Sequence, residues 1–402
     1  MKKQAAIGFI FVTVLIDIIG IGIIIPVLPG LIAELSGGTI SDASLYGGLF
    51  MFVYAFFQFL FSPILGGLSD QFGRRKVLLI ALFGLGIDYL FLGFAPTIGW
   101  LFVGRMISGI CGGSVTTANA YIADITDAEH RAKNFGMLGA AFGLGFIVGP
   151  SLGGLLAEYG TRVPFFVSAG LTLVNWLYGY VILPESLRPE NRRKFSWKRA
   201  NPIGTLRQLN RNAVIIGLVI AMFVVFIAAH ATHTTWTYFT MEKFGWSAKD
   251  VGLSLGFVGI MVSIIQAGLV RSITRRFGSE KTLYLGLIFN AIGLGLIALA
   301  TQSWMLYAII VPYAVGGLAG PSLQGLLTSR VPASEQGELQ GGIQSVISLT
   351  SIIGPLIMSN VFFFFTRPDE WYFPGAPYAL GSLLAIASLI IAYRTLRQRV
   401  EL

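Results

Sequence analysis

The chain has 402 residues, of which 54% are hydrophobic and 12% are charged, and its mean hydropathy is +0.74. This composition excludes a soluble globular protein. The net charge of +9 does not indicate nucleic acid binding, because the basic residues stand in short segments between apolar runs, as in membrane proteins. The single cysteine, Cys111, excludes intrachain disulfides.

Twelve apolar runs are long enough to cross a bilayer as helices. The first run continues through Leu28, so we expect a span there and not a cleavable signal peptide. In chain order the runs are 6–29, 44–65, 77–95, 99–122, 134–156, 163–183, 213–238, 250–270, 281–300, 304–328, 338–364 and 375–393.

The connections between these runs carry the basic residues unevenly. If the N-terminus is cytoplasmic, 23 of the 28 lysines and arginines fall on the cytoplasmic side and four fall outside, while Arg105 stands inside a run. The positive-inside rule therefore predicts that both termini face the cytoplasm.

The chain also contains an internal repeat. The connection Gly66–Lys76, with the sequence GGLSDQFGRRK, has a degraded copy 205 residues later at Arg271–Lys281, and Gly149-Pro150 matches Gly354-Pro355 at the same offset. One fixed spacing indicates gene duplication and predicts two pseudo-symmetric six-helix bundles around a central cavity. We expect an N-terminal bundle at 1–183, a cytoplasmic basic linker at 184–212 and a C-terminal bundle at 213–402.

The latter part of the linker mixes Phe195, Trp197, Ile203 and Leu206 with basic residues. That mixture is typical of a helix that lies on anionic lipid headgroups. A solvated connection without a specific role is the alternative, and the sequence leaves both open.

Several motifs together resemble those of the major facilitator superfamily, in its twelve-helix drug:proton antiporter group. The stretches DIIGIGIIIPVLP, GIDYLFLGF and WTYFTMEKFGW are most similar to the tetracycline-efflux subfamily. The motif residues are Pro26 to Pro29 in the first run, Gly66, Leu68, Asp70, Gly73, Arg74 and Arg75 in the signature loop, Arg105 with Gly109 in the fourth run, and Gly136, Gly145, Gly149, Pro150, Gly153 and Gly154 in the antiporter motif.

The resemblance implies a proton-coupled antiporter of the bacterial inner membrane that exports a small amphipathic, tetracycline-like or otherwise drug-like compound by alternating access. It implies no cofactor besides protons as the coupling ion. The expected partners are membrane lipids and a small molecule, without nucleic acid, and the expected functional state is a monomer. A metabolite importer or facilitator on the same fold is the alternative. An enzyme or a receptor has little support, because the sequence shows neither a soluble domain nor a nucleotide-binding loop.

In the fifth run, Gly145, Gly149 and Gly153 recur every four residues and share one helix face. Such a bare stripe lets a neighbouring backbone approach closely, and Pro150 favours a kink. A packing seam alone explains the pattern. The resemblance implies in addition that the seam, with Gly154, lets the two bundles rock while it prevents leaks.

In the signature loop, Gly66 and Gly73 predict a tight turn, with Arg74 and Arg75 as anchors at the cytoplasmic surface. Asp70 is expected to pair with these cations or to cap a helix N-terminus. The resemblance implies a cytoplasmic gate whose contacts form and break, and a plain topological anchor is the alternative. Because the copy has Arg275 in place of the aspartate, a second gate of this kind is not expected.

A charge inside a span costs roughly 2.5–3.5 kcal/mol on insertion scales, so ionisable residues there need an explanation. Asp17, among isoleucines in the first run, is the preferred proton carrier, because desolvation favours its neutral form. Permanent pairing with Arg105 is the alternative. The resemblance implies that Asp88 and Arg105 also serve proton coupling.

His230 and His233 share one face of the seventh run and are candidates to line the cavity, with His230 as a further proton-coupling residue. Ordinary packing is the alternative, and no metal site is predicted because a third ligand is not evident. The tetracycline exporters carry an acid in helix nine, where this chain has Asn290 and Ala291. That difference leaves open both the proton route through the C-terminal bundle and recognition of a metal-chelated substrate.

Polar and aromatic side chains of several runs are candidates for the wall of the substrate cavity. Aromatic residues also anchor helices at membrane interfaces, so that alternative stays open for them. The candidates are Tyr54, Gln58, Asn119, His230, His233, Trp236, Gln266, Asn290 and Gln324, with Phe57, Tyr238 and Gln344 as further members.

Overall fold

The computed structural model describes residues 2–112, 114–126, 130–195, 197, 213–332, 335–367 and 371–397. All regular structure within these ranges is helical. The predicted all-α class is therefore confirmed.

The first six predicted runs form eight helices. The first run is divided at Pro26, which cannot donate a backbone hydrogen bond, and the fourth run is divided near Gly112. The helices are α1 (Lys2–Ile24), α2 (Leu28–Ser36), α3 (Ile40–Phe72), α4 (Arg74–Gly93), α5 (Ile98–Cys111), α6 (Ser114–Ile125), α7 (Arg131–Leu156) and α8 (Val163–Ile182).

The last six runs form seven helices, among which α10 passes through a π-helical turn at Ile265–Leu269 into α11. The helices are α9 (Ala213–Phe244), α10 (Ala248–Ile264), α11 (Val270–Leu299), α12 (Ser303–Val315), α13 (Ala319–Thr328), α14 (Gln336–Phe364) and α15 (Ala376–Arg397).

Eleven helical spans in the described ranges are long and apolar enough to cross a membrane. The predicted run that is not among them, 250–270, corresponds to α10, which has 17 residues before the π-helical turn begins. The chain is therefore a multi-pass helical membrane protein, and its eighth run contains a π-helical turn.

The predicted signature-loop turn is shorter than expected. Gly66 is not part of a turn, because α3 stays helical to Phe72, so that expectation was wrong. Gly73 alone separates α3 from α4, with φ 100° and ψ 149°. Its repeat partner Gly278 interrupts α11 with φ 79° and ψ 164°. These are conformations that essentially only glycine adopts, so both copies of the motif turn at the same residue.

The chain forms two compact units that differ from a simple division at the linker. Unit 1 contains 1–38, 53–201 and 246–256, and unit 2 contains 39–52, 202–245 and 257–402. The start of α3 thus packs in unit 2, and the start of α10 packs in unit 1. The two duplicated bundles at 1–183 and 213–402 remain a prediction from the sequence repeat.

Each unit has its own apolar core, built where the helices bury their hydrophobic faces. In unit 1, α1 packs against α7 and α8, and its core includes Phe9, Leu78 and Tyr121. In unit 2, α9 packs against α14 and α15, and its core includes Met222 and Leu323. These cores fix the helices that carry the buried polar residues.

Candidate functional site

Three charged residues predicted for proton coupling lie together in unit 1. Asp17 on α1 is 5% exposed, Asp88 on α4 is fully buried, and Arg105 on α5 is half-buried. Two tyrosines connect them, since Tyr54 lies within electrostatic range of Asp17 and Arg105, and Tyr89 lies within range of all three. The structure thus brings residues from three separate predicted runs into one polar cluster.

Tyr89 is the member of this cluster that the sequence did not single out. A Cβ placed on Gly20 would lie 3.2 Å from the Tyr89 hydroxyl oxygen, so the ring packs on α1 one turn after Asp17. The signal in the sequence was weak, because Tyr89 looks like any aromatic residue of an apolar run. Its proximity to Asp17 follows only from the packing of α4 on α1.

Gln58 is hydrogen-bonded to Tyr54, which borders the cluster. Its Nε2 donates to the Tyr54 hydroxyl at 3.1 Å and to the Gly112 carbonyl at 3.4 Å. The two acceptors lie on α3 and at the end of α5, so the amide joins these helices. Both predicted residues, Tyr54 and Gln58, are therefore tied to the cluster, and both are half-buried.

Arg74 forms the centre of a second polar group at the junction of α3 and α4. Its guanidinium lies 2.6 Å from Asp70 Oδ1, donates to Ser69 Oγ at 2.6 Å and donates through Nε to Asp124 Oδ2 at 3.1 Å. Of the two roles expected for Asp70, the structure therefore shows pairing with Arg74. The planar guanidinium fork suits contact with several acceptors at once.

The cap of α4 is made by Glu185, which the sequence analysis missed. Its Oε1 accepts hydrogen bonds from the amides of Arg74 at 2.8 Å, Ser186 at 3.1 Å and Leu187 at 3.2 Å. A carboxylate at a helix N-terminus satisfies amides that have no partner within the helix. An acid directly after the sixth apolar run was the available signal.

The first part of the linker packs on the end of α3. The amide of Arg193 donates to the Asp70 carbonyl at 3.1 Å, and the amide of Phe195 donates to Gln71 Oε1 at 3.0 Å. The Phe195 ring covers Gly67, where a Cβ would lie 2.9 Å from the ring. This part of the linker is thus held on α3, although residues 189–194 are exposed, while the predicted surface helix with Ile203 and Leu206 lies outside the described residues, so both alternatives stay predictions.

The glycine stripe of α7 lies against α1, as its spacing predicts. A Cβ on Gly145 would lie 2.6 Å from Ile18, and one on Gly149 would lie 2.8 Å from the carbonyl oxygen of Ile19. A Cβ on Gly153 would lie closer still to the backbone of Ile23. The helix is continuous through Pro150.

Within unit 1, another glycine of the motif, Gly154, lies on a different contact of α7. A Cβ on it would lie 2.7 Å from the carbonyl oxygen of Ala248 at the start of α10. On the same contact, Ser151 Oγ occupies the space beside Gly256. In unit 2, Ser359 Oγ on α14 occupies the space beside Gly48 on α3 in the same way. In unit 1 the start of α10 therefore packs against α7, and in unit 2 the start of α3 packs against α14.

The starts of these two helices also share a sequence pattern that was missed. Asp42 Oδ2 accepts the amide of Thr39 at 2.8 Å, and Asp250 Oδ2 accepts the amide of Ser247 at 3.0 Å. This is the serine- or threonine-based capping box with an acid three residues on. TISD and SAKD start 208 residues apart, so the two helix starts share a capping pattern but not the 205-residue offset of the duplicated motifs.

In unit 2, His230 is 8% exposed and packs on the C-terminal glycine-proline copy. A Cβ on Gly354 would lie 2.6 Å from His230 Cγ. His233 is exposed, and its ring centroid lies 5.8 Å from that of His230 in a T-shaped arrangement. The structure therefore separates the pair into one packed and one accessible imidazole.

The other cavity candidates divide by exposure. Trp236 and Tyr238 are 2% and 5% exposed, so a substrate reaches them only if their surroundings move. Asn290 is also buried, at 9%. The polar candidates that are exposed are Asn119, Gln266, Gln324 and Gln344. Gln266 lies in the π-helical turn, and Gln324 donates to Gln340 at 3.1 Å.

No group of three or more histidine, cysteine, aspartate or glutamate side chains suited to a metal ion occurs in the described residues. The absence of a predicted metal site stays an expectation.

The chain resembles known transporters over nearly its whole length. A model of the Major Facilitator Superfamily matches residues 10–355 and 269–401. The class C tetracycline resistance protein of Escherichia coli is 40% identical over 362 residues, which cover 90% of this chain and 91% of that protein. Multidrug resistance protein 2 of Bacillus subtilis is 30% identical over 371 residues, which cover 90% of each.

Solved structures show the same fold. The nucleoside transporter NupG aligns with a TM-score of 0.78 at 12% identity and covers 99% of each chain. The human organic anion transporter MFSD10 aligns with a TM-score of 0.73 at 21% identity and covers 97% of this chain and 99% of the other.

Apolar spans with charged residues buried among them define a multi-pass membrane transporter. The chain belongs to the Major Facilitator Superfamily, and its relatives include tetracycline and multidrug resistance proteins. The family predicted from the motifs is confirmed.

Proposed function

We propose that this protein is a proton-coupled antiporter that exports a small amphipathic compound, with a tetracycline as the first candidate. The observation that carries the proposal is the polar cluster in unit 1, in which the buried carboxyls of Asp17 and Asp88 lie with the half-buried Arg105. Carboxyl groups inside a membrane protein are costly and mark proton or substrate pathways. The tetracycline resistance proteins among its relatives support the choice of substrate class.

Asp17 is the proposed proton carrier, because its carboxyl is buried in an apolar span, where a permanent charge is costly. Arg105 keeps its charge and supplies a constant positive field. Asp88 and His230 are proposed as further coupling residues. Protonation of this cluster would favour one arrangement of the bundles and deprotonation the other, which is alternating access.

Asp70, Arg74 and Arg75, with Gly66 and Gly73, form the proposed cytoplasmic gate. The antiporter-motif glycines of α7 support movement of closely packed backbones. The exposed polar side chains of α6, the π-helical turn, α13 and α14 are proposed to face the substrate, because lipid would not hydrate them. We further propose a bacterial inner-membrane location, both termini in the cytoplasm and a functional monomer.

The test is uptake of radiolabelled tetracycline into everted membrane vesicles under an imposed pH gradient. We expect gradient-driven uptake by the wild type and its loss in Asp17→Asn, which keeps the side-chain size but cannot exchange a proton. Thr13→Ser is the matched control, since Thr13 lies one turn away on α1 and donates to Asn175 Oδ1 at 3.3 Å. That hydroxyl is retained in serine, so uptake should stay at the wild-type level.

Unchanged gradient-driven uptake in Asp17→Asn would contradict the coupling role. Accumulation of the compound by intact cells would instead favour an importer or facilitator. If tetracycline does not stabilise the purified protein against thermal unfolding, a panel of amphipathic compounds measured in the same way selects the substrate for the vesicle assay.

A further inference from the structure

Asp88 lies in a tight contact between α4 and α5. It is 0% exposed, and the hydroxyl of Ser108 donates a hydrogen bond to its Oδ2. Its Oδ1 lies 3.0 Å from the position that a Cβ would take on Gly104 and has no hydrogen-bond partner among the described residues. Gly104 and Ser108 stand four residues apart, so one face of α5 makes both contacts.

A buried carboxylate with a single hydrogen-bond donor depends strongly on that donor. Removal from water disfavours the ionised form, and a hydrogen bond donated to a carboxylate oxygen favours it. Ser108 supplies the hydrogen bond that the structure shows to Asp88. Loss of this hydroxyl should therefore make the carboxyl retain its proton to higher pH.

The other groups near Asp88 act at longer range or carry no charge. Arg105 on α5, Tyr89 on α4 and Cys111 at the end of α5 lie within its electrostatic range. The neighbouring helix α8 contributes apolar contacts to α4, with Leu173 against Gly86 and Phe166 against Gly93. Ser108 is thus the local contact by which α5 acts on this carboxyl.

We propose that Ser108 is a positioning residue that sets the proton affinity of Asp88 and thereby the pH range over which transport is coupled. The inference rests on the proposed proton coupling and adds to it a residue that acts through the Asp88 carboxyl. It also gives Gly104 a role, because a larger residue there would displace the Asp88 carboxyl from Ser108.

The experiment is an infrared titration of carboxyl groups in the purified full-length protein in lipid, which needs no substrate. The difference between wild type and Asp88→Asn identifies the Asp88 band. In Ser108→Ala the midpoint of that band should move to higher pH by about one to two units, the size expected for loss of a hydrogen bond to a charged group. Ser108→Thr retains a hydroxyl and should restore the midpoint towards the wild-type value.

Ser168→Ala is the matched control, because Ser168 is equally buried in unit 1 and its hydroxyl donates to the Gly20 carbonyl at 3.3 Å, not to an acid. In Ser168→Ala the midpoint of the Asp88 band should stay at the wild-type value. An unchanged midpoint in Ser108→Ala, or the absence of a titrating band that depends on Asp88, overturns the proposal. Size-exclusion chromatography confirms that each variant is folded.

The vesicle assay separates this inference from the proposed function. If the wild type shows no gradient-driven uptake of any stabilising compound, antiport is wrong whatever the infrared result. If the wild type is coupled and the pH dependence of uptake in Ser108→Ala equals that of the wild type, only the role of Ser108 is wrong.

Discussion

At the scale of the residue, the α7 glycines show how closely two backbones meet. Gly149 faces Gly22 on α1 with the Cα atom of Gly22 only 2.9 Å from a Cβ position on Gly149. Gly139 and Gly136 lie on the same helix, yet a Cβ on either would have no neighbour within 4 Å. The stripe predicted from four-residue spacing is thus distinct from the other glycines of α7.

Gly153→Ala should destabilise the protein by about 1–3 kcal/mol, the usual cost of overpacking. The added methyl would meet the backbone of Ile23, which cannot rotate away as a side chain can. The measurement is the apparent Tm of the purified variant in detergent, together with vesicle uptake. Both should fall.

Gly139→Ala is the control for that substitution, because it adds the same methyl to open space on the same helix. Alanine favours the helix by up to about 1 kcal/mol over glycine, so the apparent Tm should stay level or rise. Equal loss of stability in both variants would show that α7 tolerates no methyl anywhere, and the packing argument would fail.

At the scale of the element, the two copies of the signature motif turn at equivalent glycines but have different surroundings. Gly73 lies beside the Glu185 carboxylate, whose carbon would be 2.7 Å from an added Cβ. Gly278 has open space at that position. The N-terminal copy is therefore enclosed by the α4 cap, whereas the C-terminal copy is an open turn.

Both Gly73→Ala and Gly278→Ala should lower the apparent Tm, because each forces alanine into a backbone region that costs about 1–3 kcal/mol. The loss should be larger for Gly73→Ala, since its methyl also displaces Glu185 from the N-terminus of α4. Thermal unfolding of the two single variants under one condition makes the comparison. A larger loss at Gly278 would contradict it.

At the scale of the whole molecule, the duplicated halves carry their charges differently. In unit 1, Arg74 at the start of α4 binds Asp124 on α6 at 3.1 Å. In unit 2, Glu280 of α11 lies 3.7 Å from Arg330, just after α13. At the 205-residue offset Arg74 corresponds to Ser279 and Asp124 to Ser329, so neither member of the unit 1 pair is repeated. The expectation that the Asp70 latch is not duplicated stays a prediction about function, but the site does carry a different ion pair.

The predicted orientation can be tested because the chain has a single cysteine, Cys111. In a Cys111→Ser background, Trp371→Cys lies between the last two predicted runs and should react with a membrane-impermeant maleimide in intact cells. Arg276→Cys, in the connection after the eighth run, should react only after permeabilisation. Both native side chains are exposed, so access to the label is not limiting. The reverse labelling pattern would invert the topology.

Much of the fold followed from local patterns, because spans, breaks and repeats are set by neighbouring residues. Apolar length predicted nearly every helix, and Gly73 was recognised as a turn from its sequence context. The prediction of a turn at Gly66 was wrong, because a glycine within a long apolar helix does not have to end that helix. The π-helical turn at Ile265–Leu269 leaves no clear trace in composition.

The sequence by itself determined the membrane class, the duplication, the family and the presence of Asp17, Asp88 and Arg105 inside apolar runs, since each is visible in consecutive residues or in their spacing. Only the tertiary structure decided that Tyr89 lies within electrostatic range of Asp17, that Ser108 donates to Asp88 and that Glu185 caps α4. These partners stand between 20 and 111 residues apart in the hydrogen-bonded pairs. Their contacts depend on how rigid helices pack, which no local pattern encodes.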